Sequence, residues 1–138
     1  MLVYFVGSLA ARLATVLCVL VIALPYGLRR NRLSRGLGLA QEHARPYLRR
    51  LWPHFWLGYV ILALSTVHAG TVMPALKRAS NAGVLAATGA FFLLLFEVAL
   101  GLSLKDGSLP ARRSWRALHF WTMVAFMMAL SVHLGLNN

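Results

Sequence analysis

The chain has 138 residues, of which 59% are hydrophobic and 12% are charged, and it carries a net charge of +11. This composition excludes an ordinary soluble domain. Because the basic residues fall in short connections between apolar runs, the charge favours anionic membrane lipid over nucleic acid as a partner. The single cysteine, Cys18, cannot form an intrachain disulfide and lies in an apolar run. We therefore expect it to be a buried small side chain.

Four apolar runs follow one another along the chain, at about residues 2–28, 53–73, 81–104 and 115–136. Runs of about 20 apolar residues are long enough to cross a hydrocarbon core about 30 Å thick. We therefore predict an all-α integral membrane protein, a single domain over residues 1–138, built as a four-helix up-and-down bundle. Pro25 is expected to bend the first helix, and Ser114 to cap the fourth.

Basic residues are distributed unevenly over the connections. Eleven lie on the first and third connections and two, Lys77 and Arg78, on the second. By the positive-inside rule both termini are predicted to lie outside, so the second and fourth helices both run outward. The expected location is a bacterial cytoplasmic membrane. The eleven residues are Arg29, Arg30, Arg32, Arg35, Arg45, Arg49, Arg50, Lys105, Arg112, Arg113 and Arg116.

The second and fourth runs contain the same motif, H-F-W, ten residues, then V-H-x-G. Its histidines are His54 and His68 in one copy and His119 and His133 in the other, fourteen residues apart in each. On an α-helix this spacing is a rotation about 40° short of four turns and a rise of about 21 Å. Each helix therefore carries two imidazoles on one face, near opposite ends. We call His54 and His119 the inner histidines, and His68 and His133 the outer histidines.

Ionisable residues inside a membrane are functional by default. Two parallel helices with equally spaced histidines can hold two stacked haems, each bound by one imidazole from each helix. In the alternative interpretation, the histidines are polar contacts in a helix bundle without haem. The repeated context and the equal spacing favour haem binding.

The paired H-x13-H motif on the second and fourth helices resembles the haem-bearing half of cytochrome b from quinol-oxidising bc complexes. The general design is similar to small cytochromes of the b-561 and ferric-reductase kind. The resemblance covers the membrane core, but two helices carry it. It implies two haem b groups, with His54 and His119 as one axial pair and His68 and His133 as the other.

The chain also departs from that family. Cytochrome b packs haem against glycines spaced fourteen residues apart on the first and third helices, whereas this chain has Gly7 with Val21 and Ala87 with Gly101. A P-E-W-Y quinol-site sequence does not occur. The resemblance therefore implies transmembrane electron conduction rather than quinol oxidation by the bc mechanism.

Two charged side chains lie inside apolar runs. Arg12 lies about 15 Å along the first helix, where it is predicted to bind an outer-haem propionate; the alternative is snorkelling to the surface. Glu97 either accepts protons from a quinol beside the inner haem or hydrogen-bonds a neighbouring helix.

The predicted function is transmembrane electron transfer, as a subunit of a larger respiratory or photosynthetic complex that exchanges electrons with quinone or a redox partner. The alternative is a self-contained quinone-coupled oxidoreductase, such as a superoxide or ferric reductase. Co-purifying subunits and quinone-dependent haem reduction distinguish the two.

Overall fold

The computed structural model describes residues 2–29, 52–73, 81–106 and 109–136. In these residues it contains four α-helices, α1 (Leu2–Arg29), α2 (Trp52–Val72), α3 (Asn81–Asp106) and α4 (Leu109–Leu136). No β-strand occurs within the described ranges. The predicted all-α class with four helices is confirmed.

Each helix contains an apolar segment long enough to cross a membrane, namely Leu2–Pro25, Trp52–Val72, Asn81–Leu104 and Ser114–Leu136. The shortest has 21 residues, which corresponds to a rise of about 31 Å. Large apolar side chains such as Leu2 and Leu85 are about three-quarters exposed, at 76% and 74%. Such surface favours association in water but is well solvated by lipid tails. The chain is therefore a multi-pass membrane protein.

The fourth helix is longer than predicted. It begins at Leu109, so the predicted cap at Ser114 is wrong. Pro110 is the second residue of the helix, where a missing backbone N–H costs nothing because the first turn has no acceptor for it. The following alanine and arginines are good helix formers. Hydropathy locates the membrane-crossing part, which begins at Ser114, but not the start of the helix.

Pro25 lies inside α1, near its C-terminal end. Its ring nitrogen carries no hydrogen, so the carbonyl of Val21, four residues earlier, receives no helical N–H from it. The bend expected at this position stays a prediction. The Val21 carbonyl is therefore left without its usual helical donor.

The chain divides into two compact units, Met1–His68 and Ala69–Asn138. The first contains α1 and α2 up to His68, and we call it the first hairpin. The second contains α3 and α4, which pack against each other, and we call it the second hairpin.

On α1 the buried side chains recur every three to four residues, at Ala10, Ala14 and Cys18, which places them on one face of the helix. Cys18 is free and buried, as predicted.

Candidate functional site

In the first hairpin, both histidines of α2 contact main-chain carbonyls of α1. The Nδ1 atom of His54 lies 3.2 Å from the carbonyl oxygen of Val21, and that of His68 lies 3.1 Å from the carbonyl oxygen of Gly7. Moving fourteen residues forward along α2 moves the contact fourteen residues back along α1, as antiparallel helices require. The spacing of the histidines is thus matched by an equal spacing of their acceptors.

The second hairpin repeats this arrangement with one change. The Nδ1 atom of His133 lies 3.4 Å from the carbonyl oxygen of Gly83, which is long for a hydrogen bond. The Nδ1 atom of His119 contacts the carboxylate oxygen Oε2 of Glu97. Gly83 and Glu97 are again fourteen residues apart. Each histidine therefore meets an oxygen on the preceding helix, and only the acceptor of His119 is a side chain.

These contacts determine which imidazole nitrogen can bind a metal. A carbonyl oxygen has no hydrogen to donate, so Nδ1 must carry the ring hydrogen in the three carbonyl contacts. The lone pair that can bind a metal then resides on Nε2. Metal-binding histidines almost always donate their other ring N–H to a carbonyl or a carboxylate, which fixes the tautomer and the ring orientation. In both hairpins the Nδ1 atoms of these partly buried imidazoles face such oxygens, carbonyls for three of them and a carboxylate for His119.

Glu97 is a carboxylate inside a membrane segment. It is 8% exposed, and its Oε1 atom has no hydrogen-bond partner among the described residues. A buried carboxylate is costly unless positive charge or hydrogen bonds compensate it. A cation bound at Nε2 of His119 would supply such charge through the ring that contacts Glu97.

The acceptor residues on α3 were not identified from the sequence. The contacts align Gly7 with Gly83 and Val21 with Glu97, whereas the family comparison pointed to Ala87 and Gly101, one turn further along α3. In the new alignment both helices read Gly-x-Leu-Ala-Ala, at 7–11 and at 83–87. Both also contain Ala-Leu at equivalent positions, 23–24 and 99–100. The second hairpin therefore repeats the contact pattern of the first at equivalent positions of all four helices.

Arg12 lies on a different face of α1 from the acceptors, about 140° around the helix from Gly7 at 100° per residue. It is exposed and lines a shallow groove with Phe5, Ser8 and Leu9. The structure therefore does not bring Arg12 together with the histidines of the first hairpin. Its contact with a haem propionate stays a prediction.

The four tryptophans lie in the first halves of the two histidine-bearing helices and are exposed. Trp52 and Trp56 pack edge to face, with ring centroids 5.9 Å apart. Amphipathic rings at the ends of membrane helices commonly mark the headgroup level. The exposed fractions are 62% for Trp52, 55% for Trp56, 37% for Trp115 and 66% for Trp121.

Several predicted features lie outside the described residues. These are His43, which we expect to be a loop histidine without a ligand role, and the basic residues of the first two connections beyond α1. Within the described ranges, no three His, Cys, Asp or Glu side chains are grouped so that they could hold a metal ion by themselves. An iron held by a porphyrin takes only one or two protein ligands.

Comparisons with protein-family models, with curated proteins and with solved structures gave no match. The functional assignment therefore rests on the histidine spacing and on the contacts at Nδ1.

Proposed function

We propose that the chain is a membrane dihaem cytochrome b that transfers electrons across the bilayer. The observation that carries this proposal is that the Nδ1 atoms of His54, His68 and His133 face carbonyl oxygens and that of His119 faces a carboxylate. Four transmembrane histidines oriented in the manner of metal ligands, in two pairs of equal spacing, are difficult to explain as helix contacts alone.

His54 and His119 are proposed to bind the inner haem, and His68 and His133 the outer one. This pairing follows from the sequence, because equal spacing on two helices predicted to run parallel supplies two levels at which one imidazole from each repeat can reach the same iron. When bound, each haem supplies a one-electron couple between ferric and ferrous iron. The chain itself supplies the axial nitrogens, their orientation and an apolar surround.

The residues present suit an iron porphyrin. Imidazole nitrogen is the usual axial ligand of a b-type haem, and each imidazole already has the oxygen partner that such ligands require. The iron–porphyrin core of a ferric haem with two neutral axial ligands carries one positive charge, which would offset the buried carboxylate of Glu97. Arg12 is proposed to meet an outer-haem propionate, the alternative being that it snorkels to the surface.

The partners proposed for this cytochrome are membrane lipid, a quinone and the other redox subunits of a respiratory or photosynthetic complex in a bacterial cytoplasmic membrane. A haem near each face of the bilayer suits exchange with a different partner on each side. Quinone-dependent reduction of one haem in a native membrane extract would identify the quinone side.

The deciding experiment is a reduced-minus-oxidised optical spectrum of the purified protein, with haem and protein quantified together. We expect the spectrum of low-spin, bis-histidine haem b and about two haems per chain. A variant with all four transmembrane histidines replaced by alanine, purified in parallel, should contain none. A wild-type protein that binds no haem, either in the cell or after reconstitution, would rule the proposal out.

The Arg12→Leu variant tests the propionate contact. If the guanidinium lies beside an outer-haem propionate, its loss should lower the midpoint potential of that haem and leave the inner one nearly unchanged, because a nearby positive charge favours the less positive ferrous iron. Potentiometric titration measures both values, and Ser8→Leu, on the same face of α1, is the matched control. Unchanged potentials in Arg12→Leu would mean that this side chain only snorkels to the surface.

A further inference from the structure

A helix carbonyl is poorly placed to accept a hydrogen bond from another helix. It already accepts the N–H of the residue four positions later, and side chains restrict access to it. Each of the four histidines nevertheless meets an oxygen on the preceding helix. The residues at the four acceptor positions explain how.

At both outer positions the acceptor residue is a glycine. Gly7 and Gly83 are buried, and without a side chain they allow an imidazole to approach the backbone closely. The N–H groups of Ala11 and Ala87 remain available for the helical bonds, but a carbonyl oxygen has a second lone pair for the histidine. Both hairpins therefore use a glycine carbonyl as the acceptor for the outer histidine.

At the inner position of α1 the acceptor residue is Val21, which has a branched side chain. Here the residue four positions later is Pro25, which offers no N–H and whose ring is expected to crowd the carbonyl of Val21. The carbonyl therefore lacks its usual helical donor. His54 supplies a donor at 3.2 Å.

At the inner position of α3 neither device is present. Glu97 is not glycine, and Gly101, four residues later, retains its N–H. At this position Nδ1 of the histidine contacts the side chain of the acceptor residue, whereas at the other three it contacts a carbonyl. A histidine thus contacts a carbonyl where the acceptor residue is glycine, or where the residue four positions after the acceptor is proline. At the inner position of α3, which has neither a glycine acceptor nor such a proline, the histidine contacts a carboxylate.

We propose that Pro25 and Glu97 are positioning residues of the two inner histidines, performing one task by different chemical means. Pro25 makes the Val21 carbonyl available to His54, whereas Glu97 presents a carboxylate to His119. A carboxylate accepts a stronger hydrogen bond than a carbonyl, so His119 becomes the more electron-donating ligand. The redox consequence rests on the haem function proposed above. In a haem-loaded protein, Glu97 stabilises ferric over ferrous iron at the inner haem.

The contribution of Pro25 is tested by Pro25→Ala, a change that favours helix formation and so does not endanger the fold. Nitrogen NMR of isotopically labelled histidine, on haem-free protein in detergent, should show His54 losing its single Nδ1–H tautomer while His68 keeps its own. In the haem-loaded protein, the inner haem should be retained about 10-fold more weakly. Adding Val21→Gly, which copies the arrangement at Gly7, should restore both readouts.

The contribution of Glu97 is tested by replacing its carboxylate with the arrangement of α1, a proline four residues after the acceptor. Glu97→Val alone should weaken retention of the inner haem about 10-fold, because His119 loses its acceptor. Glu97→Val combined with Gly101→Pro recreates the pairing of Val21 with Pro25 in α1. This double variant should restore retention of the inner haem. The midpoint potential of the inner haem in this double variant should be higher than in the wild type, since the carboxylate is gone. Gly101→Pro alone is the matched control and should retain the inner haem at the wild-type potential.

The two proposals fail in different ways. A wild-type protein without haem overturns the haem function, while the tautomer measurement on haem-free protein still tests the role of Pro25. If the wild type binds two haems but Pro25→Ala leaves the His54 tautomer unchanged, Pro25 is not a positioning residue. If Glu97→Val retains the inner haem as well as the wild type does, or the double variant retains it no better than Glu97→Val alone, the same holds for Glu97.

Discussion

Replacing either His68 or His133 with alanine is expected to disrupt the same, outer haem. A neutral imidazole offers one nitrogen to iron, so a six-coordinate haem requires both of its histidines. The haem content should fall to about one per chain, or the outer haem should become five-coordinate and high-spin. His54→Ala and His119→Ala should have this effect at the inner haem. Haem quantification and low-temperature electron paramagnetic resonance distinguish the two outcomes.

Double variants make the pairing test sharper, because ligands of one haem act as a unit and their losses are not additive. His68→Ala with His133→Ala should lose at most the outer haem and leave the inner haem six-coordinate. His68→Ala with His54→Ala, which removes ligands of different haems from one helix, should affect both. His43→Ala is the control and should leave both haems intact. A His68→Ala protein that keeps two six-coordinate haems would refute the pairing.

A membrane-impermeant thiol reagent applied to intact cells is expected to label a cysteine at Leu136 and not one at Ser114. Both residues are exposed and lie at opposite ends of the apolar segment of α4, about 33 Å apart along the helix. The positive-inside rule predicts that the Leu136 end is outside. The experiment is done in a Cys18→Ser background, since the native thiol is the single cysteine of the chain.

Permeabilised cells provide the control, because both cysteines should then react. The opposite pattern in intact cells, with Ser114→Cys labelled and Leu136→Cys protected, would reverse the predicted orientation. Such a reversal would exchange the sides on which the two proposed haems lie. It would leave the ligand pairs unchanged, since these depend on the direction of α2 relative to α4 and not on the side of the membrane.

The sequence predicted the four helices and seven of their eight boundaries to within two residues, and it singled out the four histidines. These features are local. A run of apolar residues has to form a helix in lipid, because every backbone N–H and C=O must be bonded within the segment. The start of α4 was missed because hydropathy marks only the apolar part of a helix. Residues 109–113 are too polar to belong to that part but are helical.

The sequence also drew attention to Gly7 and Val21 on α1, but only because Val21 stands where the cytochrome b pattern has a second glycine. Their role as acceptors, and that of Gly83, became visible in the contacts within each hairpin. Glu97 had been given two interpretations from the sequence. Its contact with His119 agrees with the interpretation in which it bonds a neighbouring helix.

By itself, the sequence determined that this protein has four membrane-length helices and that two of them carry paired imidazoles on one face, since apolar length and helical periodicity are properties of each segment alone. The tertiary structure decided which oxygen each imidazole meets. That choice depends on the rotation and register of one helix against its neighbour, which packing of the whole hairpin sets. Only with the register known does Pro25, four residues after Val21, acquire a function, and only then does Glu97 occupy the equivalent place in the second copy.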